Sequence, residues 1–490
     1  MEVLKSRLAD VNALRASATI MDWDQQTFMP RGGAEARAQH IGILSRMAHE
    51  TFTAEETQRA LEGASADAEG DDAALVRVVK RDLHLATKLP TDLVAEKAQL
   101  AAVAHEQWVQ ARKDNDFKGF SSTLERMFEI ARQEAEHLGY TEHIYDALLD
   151  QYEEGATASE ARAMFESIKG PQVEMVRKIA ECPQPDYSFL QGNWAKEKQR
   201  EFTETIVKAV GFDFGRGRQD TAPHPFCTGW SVSDIRLTTR FQSYLGSAIF
   251  GSLHEAGHGM YEQGSPQEWD LTPLAGGTSL GVHESQSRLW ENIVGRSKPF
   301  WEHFLPKLKQ TFPDLDSISL DAFYRAINKV KPSNIRVEAD ELTYNLHVLV
   351  RFEIECDVLT GNLRVADIPE AWNAKYSEYL GVTPQTDSDG CLQDVHWSMG
   401  SVGYFPTYTM GNLLSYQIWD QLKESVPNTD DLMATGDFRP ILEWLQREIY
   451  VKGRSLSPKV LVKDVCGQPM GAESYLNGLG TKYGTLYGFS

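Results

Sequence analysis

The sequence has no uninterrupted apolar run of membrane-spanning length, no C-x-x-C pair and no fixed-period repeat, and each absence removes a class of protein. A helical membrane span needs about 20 consecutive apolar residues, so a membrane partner is not expected. The opening stretch, "MEVLKSRLADVNALRASATIMDWD", carries acidic residues and no apolar core. No signal peptide is therefore expected, and the cytoplasm is the default compartment. Five cysteines (Cys182, Cys227, Cys356, Cys391 and Cys466) are odd in number and widely scattered. A disulfide framework or a structural zinc knuckle is not expected, and a reducing compartment fits. Basic residues are in deficit: 49 Lys and Arg stand against 70 Asp and Glu, a net charge of −21. Such a chain repels nucleic acid on average, so none is expected as a partner. The missing repeat disfavours a solenoid.

What remains is a globular chain of 490 residues, 41% hydrophobic and 24% charged, long enough for a large core divided into lobes. Apolar residues recur at three- and four-residue spacing in "AEARAQHIGILSRMAHETF", "DDAALVRVVKRDLHLATKL", "TDLVAEKAQLAAVAHEQWVQARK" and "STLERMFEIARQEAEHLGY". Asp71, Thr91 and Ser122 stand where N-caps are expected, and Pro90 closes the segment before it. "ASEARAMFESIKGPQVEMVRKIAEC" and "WAKEKQREFTETIVKAVGF" continue the helical pattern. The stretch "GFDFGRGRQDTAPHPFCTGWSVSD", rich in Gly, Pro and aromatics, reads as a long structured loop. It separates an N-terminal helical lobe, 1–210, from a second lobe, 211–490. "SDIRLTTRF" then alternates with period two, placing Ile235, Leu237 and Thr239 on one face of a strand. The expected fold is mainly α with one small sheet.

"FGSLHEAGHGMYEQG", from Phe250 to Gly264, sets two histidines four apart with a glutamate directly after the first. Four helical residues turn through about 400°, so His254 and His258 share one face and can reach a single ion. Glu255 sits about 100° round, placed to hold a water on that ion without ligating it. The competing reading is a helix that merely carries two solvated histidines. A catalytic ion also needs a third protein ligand and an open position. Downstream, "GGTSLGVHESQSRLWENIVG" reads as a Gly turn and a helix with acidic residues. The candidates are Glu284, Glu291, Glu262 and His283. Glu262 lies one turn beyond His258 on the same helix and is poorly placed to curl back. Glu284 and Glu291 are about two turns apart, too far to share one ion. Helical geometry leaves the choice between them open. A strand beside the metal-binding helix suits a peptide-cleaving enzyme, which needs a strand edge to hold an extended chain.

"HEAGH" followed by "HESQ", with Glu284 26 positions after His258 (284 − 258), resembles the thermostable-type metallocarboxypeptidases of peptidase family M32. "HPF" at 224–226, "DIRLT" at 234–238, "IRVEAD" at 335–340 and "GCLQDVHW" at 390–397 match the pattern of the same family. So do "MDWDQQTFMPRGGAEARAQHIGILSRMAHE" and the ending "KYGTLYG", so the resemblance covers essentially the whole chain, with no departure at a motif position. It implies a helical, bowl-like, two-lobed zincin similar to neurolysin and angiotensin-converting enzyme, its two lobes forming one continuous peptidase domain around a deep groove. It implies His254, His258 and Glu284 as metal ligands and Glu255 as the base activating a metal-bound water. The metal it implies is one zinc per chain, with cobalt or manganese as substitutes. It further implies a homodimer that removes single C-terminal residues from peptides with broad preference.

Hydrolysis also needs a donor for the oxyanion and a proton for the leaving amine. "HWSMGSVGYFPTYTMGNLLSYQIW" offers His396, Tyr404 and Tyr408 in a loop with Gly400, Gly403 and Pro406, ahead of a new helix. The plainer reading is that these aromatics only pack. A C-terminal carboxylate calls for an arginine fork, and Arg336 is the candidate, with Arg236 on the strand as competitor. An intrahelical ion pair between Arg336 and Asp340, four residues apart, is the alternative. His224 in "PHPF" is a candidate groove residue, with a structural role as the commoner fate of a lone His. Asp234, Thr238, Asp394 and His283 are candidates for fixing the second ring nitrogen of a ligand histidine.

A metal-dependent carboxypeptidase acting on peptides with a free C-terminal carboxylate is thus the expected function. An oligopeptidase or dipeptidase of the same fold would lack the carboxylate clamp and the blocked groove end. A helical binding protein with a dead site is the reading from another class, and the intact Glu255 argues against it.

Overall fold

The structure, a computed structural model, describes residues 1–65 and 68–489. Among them, α-helices number 20 and there is one three-stranded sheet, as expected of a mainly α chain. The periodic segments form the helices Ala34–Thr53, Gly70–Lys88, Thr91–Asp114, Phe117–Leu138, Ala158–Ala180 and Lys196–Val210. Their starts correct the expected caps. Asp71 lies in the first turn of its helix and Thr91 is itself the first helical residue, after Pro90. Ser122 is inside Phe117–Leu138, because Asp116 already caps that helix by accepting the Gly119 N–H at 2.9 Å. No helix among the described residues is long and apolar enough to cross a membrane.

The chain forms two compact units. The first comprises Met1–Ala86, Pro185–Ile327 and Ser415–Pro469; the second comprises Thr87–Gln184, Asn328–Leu414 and Met470–Ser490. The division expected between residues 210 and 211 is not a boundary between them. Gly211 (φ 115°) ends the helix Lys196–Val210 in a left-handed cap, and the chain runs on into the sheet within the first unit.

In the first unit, Leu4, Leu8 and Val11 bury against Phe52, Leu61, Leu75 and Val79. The sheet has the order β1 (Gly217–Thr221), β3 (Asp234–Thr239), β2 (Cys227–Ser231), with β1 parallel and β2 antiparallel to β3. β3 is the strand the alternation predicted, and Ile235, Leu237 and Thr239 are buried. β1 and β2 lie where a loop was expected. Neither "GRQDT" nor "CTGWS" alternates, so the signal for them is the partner strand rather than their own pattern. β3 is also central, so the free edges belong to β1 and β2. The helix Leu245–Gln263 packs on this sheet, and a Cβ at Gly259 would lie 2.8 Å from the Leu237 side chain.

The second unit is built around the helix Tyr344–Leu359, in which only Glu353 and Asp357 escape burial. Three of its buried residues, His347, Arg351 and Glu355, are ionisable and 0% exposed. Arg336 does not lie on an α-helix but in the short 3-10 turn Arg336–Glu338. The expected pair with Asp340 is replaced: Asp340 accepts main-chain N–H groups of Lys331, Leu342 and Thr343, and Arg336 binds Asp394.

Candidate active site

Two helices of the first unit meet closely at Gly257. A Cβ there would lie 2.5 Å from the Gln286 carbonyl oxygen, so only glycine lets Leu245–Gln263 approach Leu280–Arg288 this nearly. That approach brings Glu284 to the two histidines. Its Oε2 lies 3.7 Å from His254 Nε2 and 3.5 Å from His258 Nε2, and all three donor atoms fall within 4.8 Å of one another. Ligands about 2.1 Å from a tetrahedral zinc are separated by about 3.4 Å, so the donor set fits one ion.

The other ring nitrogens fix which atoms face that point. His254 Nδ1 lies 2.9 Å from Glu291 Oε2. His258 Nδ1 lies 2.7 Å from His283 Nδ1, and His283 Nε2 lies 2.6 Å from Glu262 Oε1. One tautomer set satisfies every contact: His254 donates to Glu291, His258 donates to His283, and His283 donates to Glu262. Both ligand Nε2 atoms then keep their lone pairs for a metal. Burial pulls His258 down to about 4, with His283 and His254 adding to it against Glu284, so this ring is neutral near pH 7. Burial opposes a charge on His254 too, but Glu284, Glu291 and Glu255 outweigh it and raise its pKa.

The carboxylates are tuned apart. Burial works against ionised Glu284, yet Arg288, whose Nε donates to Oε1 at 2.6 Å, together with His254 and His258, holds its carboxyl well below the usual range. Burial pushes Glu255 up to about 7; His254 opposes the rise, while Glu284 and Glu291 add to it. A ligand kept ionised and a neighbouring carboxyl poised near neutrality are what metal binding and general base work respectively need.

Glu291 and Glu262, weighed above only as ligands, turn out to orient the histidines and their neighbour. The chain widens into a π-helical segment at Leu289–Val294, and Glu291 sits in it. Arg288 Nη1, 3.4 Å from Glu291, and Arg296 Nη2, 3.3 Å away, neutralise its charge. The nearest sequence signal was the acidic helix after "HESQ".

The remaining candidates fall elsewhere. Asp234 binds Arg236 through both oxygens, at 2.6 and 3.0 Å, and accepts Trp230 Nε1 at 3.0 Å. The Arg236 guanidinium is sandwiched between Trp23 and Trp230, 4.5 and 4.8 Å from their ring centres. Thr238 Oγ1 bonds to both main-chain groups of Phe226. These contacts hold the sheet together and correct the expectation that Asp234 and Thr238 fix a ligand histidine. His224 is exposed, between β1 and β2.

The second unit brings Arg336, His396, Tyr404 and Tyr408 together. His396 Nε2 lies 3.2 Å from the Tyr408 hydroxyl, the Tyr404 and Tyr408 rings meet edge-on at 5.2 Å, and the Arg336 guanidinium lies 4.9 Å from the Tyr408 ring centre. Tyr408 stands in the first turn of Pro406–Ser425 rather than in the loop before it. Asp394 also leaves its expected role: Oδ1 takes Arg336 Nε and Nη2 at 3.0 and 2.9 Å, and Oδ2 takes Arg351 Nε at 2.6 Å. Burial opposes its ionisation, but Arg336, Arg351 and His396 hold its carboxyl far below the usual range. Two guanidiniums against one carboxylate leave a surplus positive charge.

A His–His–Glu cluster able to hold one metal ion, beside a buried carboxyl on a helical frame, is the arrangement expected of a metallopeptidase. Residues 3–483 match the Carboxypeptidase Taq (M32) metallopeptidase family, and the chain belongs to it as a metallocarboxypeptidase. It is 40% identical to thermostable carboxypeptidase 1 of Thermus thermophilus, over 98% of this chain and 96% of that protein. It is 38% identical to carboxypeptidase 1 of Bacillus subtilis, over 96% of this chain and 95% of that protein. Among solved structures it resembles the M32 carboxypeptidase from Deinococcus radiodurans, with a TM-score of 0.97, 37% identity and 99% coverage of both chains. The Pyrococcus furiosus carboxypeptidase gives a TM-score of 0.96 at 35% identity, covering 98% of each chain.

Proposed function

We propose that the enzyme removes single residues, with broad preference, from the free C-terminus of peptides, using one zinc ion held by His254, His258 and Glu284. The observation that carries this reading is the convergence of those three donors, with buried Glu255 on the helix that bears the two histidines. Cobalt or manganese would suit the same donors. An ion held there would supply Lewis acidity for polarising the scissile carbonyl and acidifying a water. Glu255 takes the proton from the attacking water and passes it to the leaving amine. Tyr408, with His396 bonded to it, donates to the developing oxyanion, and Tyr404 supports it by ring packing. Recognition of the terminal carboxylate is assigned to Arg336, helped by the surplus charge that Arg351 leaves around Asp394. His224 is kept as a peptide-contacting residue.

One observation favours the oligopeptidase reading: the Arg336 fork is already engaged by Asp394. Product analysis of an unblocked peptide separates the two. The expected first product is the free C-terminal residue; internal fragments appearing first would overturn the exopeptidase reading. The same proposal makes the enzyme a cytoplasmic homodimer, on the strength of the family resemblance, and sedimentation at micromolar concentration tests the dimer.

A further inference from the structure

Glu355 is a carboxylate where a core asks for an apolar side chain. It lies on the helix Tyr344–Leu359, is 0% exposed, and has Ile354 and Cys356, both buried, as neighbours. Burial pushes its pKa up to about 7, against hydrogen bonds from Tyr145, Trp397 and Gly403 and the charge of Arg351. Packing alone gives no reason to keep such a group.

Its partners supply the reason. Oε1 accepts Trp397 Nε1 at 2.7 Å, while Oε2 accepts the Tyr145 hydroxyl at 2.6 Å and the Gly403 N–H at 3.2 Å. Trp397 directly follows His396, and Gly403 directly precedes Tyr404. One carboxylate therefore staples both ends of the segment 397–403, and the two reactive side chains stand just outside the staples. Between them the chain turns through Gly400 (φ 71°) and Gly403 (φ 93°), and a Cβ on Gly403 would lie 2.7 Å from the Leu148 main chain. The segment is thus pressed against the helix that carries Tyr145, Ile144–Asp150.

We propose that Glu355 is a positioning residue that sets the separation and aim of His396 and Tyr404, and through them of Tyr408. The inference rests on the reading that these three side chains serve the substrate. It requires the ionised carboxylate, in which both oxygens are acceptors, so the variants are compared above pH 7. An amide at this position puts an NH2 against either the Trp397 indole N–H or the Gly403 main-chain N–H, neither of which can accept. No rotamer of Glu355→Gln satisfies both ends.

The test measures Glu355→Gln and Tyr145→Phe as metal-loaded, folded enzyme well below their melting temperatures. Glu355→Gln is expected to lower kcat by about tenfold to a hundredfold, as misplacement by about 1 Å does, with KM within about threefold and metal content unchanged. Tyr145→Phe, which removes one of three donors, loses less and still reports if Glu355→Gln does not fold. Amide exchange in the peptide spanning 396–405 is expected to quicken in both. Adding Trp397→Phe to Glu355→Gln removes the opposed donor and is expected to recover part of kcat. If both single variants keep kcat within twofold and exchange at 396–405 is unaltered, the positioning role falls. Tyr408→Phe and His396→Ala separate the premise from the inference: full kcat in both, with faster exchange in Glu355→Gln, removes these side chains from catalysis but leaves Glu355 as the anchor of the segment.

Discussion

Glu291 holds the ring of His254, its Oε2 2.9 Å from Nδ1, although it stands seven residues after Glu284, which faces the opposite nitrogen of the same ring. Carboxylates of one continuous helical segment thus flank the imidazole, Glu291 bonded to Nδ1 and Glu284 3.7 Å from the free Nε2. Such partners fix ring orientation and raise ligand basicity, and their loss typically costs about 10–100-fold in metal affinity. Glu291→Ala is therefore expected to weaken metal binding by that factor in a chelator competition, with the fold intact by circular dichroism. Unchanged affinity would leave Glu291 as no more than a partner for Arg288 and Arg296.

The ligand set makes a sharper demand. His254→Ala and Glu284→Ala should lose the metal altogether, measured as ions per chain. Glu255→Gln should retain one ion per chain and lose about 10²–10⁴-fold in kcat, because it removes only the base. Chelation should abolish hydrolysis in the unmodified enzyme. Retention of metal by Glu284→Ala together with its loss in Glu291→Ala would move the third ligand to Glu291.

Much of this centre was legible because it depends on local periodicity. His254, Glu255 and His258 follow from a helix of regular pitch, and β3 follows from strict alternation. What local pattern could not supply is the partner. β1 and β2 are strands because β3 pairs with them, and Asp234 and Arg236 bind each other two residues apart on one strand face. In the sequence Glu291 and Glu284 are rival ligands, because local spacing does not show which carboxylate faces the ion and which backs a histidine. The structure gives them different places, Glu284 among the clustered donor atoms and Glu291 bonded to the far nitrogen of His254, with the helix widened at Leu289–Val294. Arg336 and Asp340 carry helical spacing, but the chain makes only a three-residue turn there, so their side chains find other partners.

Asp394 ties two buried guanidiniums, so its loss should be felt as stability. Asp394→Asn leaves Arg336 and Arg351 facing each other without a counter-charge, and breaking a buried pair in this way costs about 3–5 kcal/mol. Urea unfolding followed by fluorescence is the measurement. Because the folded-state pKa of Asp394 is depressed, its stabilisation is fully present above the unfolded value of about 3.9 and is lost as pH falls below it. The variant should therefore show a shallower loss of stability below about pH 4 than the unmodified protein. Equal urea midpoints at neutral pH would mean that the two arginines find other acceptors.

Arg336→Lys tests carboxylate recognition directly. The ammonium keeps the surplus positive charge but cannot make both Asp394 contacts while bonding Tyr344, as Arg336 does through Nη1 at 2.6 Å. If Arg336 senses the terminal carboxylate, kcat/KM on a free peptide should fall by about one to two orders of magnitude, the equivalent of a charge-assisted contact of about 1.5–3 kcal/mol. On the matching C-terminally amidated peptide, expected on this reading to be a poor substrate of the unmodified enzyme, the same substitution should change little. A purely structural Arg336 predicts another pattern: loosening of Asp394 and Tyr408 would lower both rates by the same factor. Equal losses on the two peptides would return the arginine to the role of holding Asp394. Arg236 would then be tested next, although its guanidinium is pinned by Asp234 between Trp23 and Trp230.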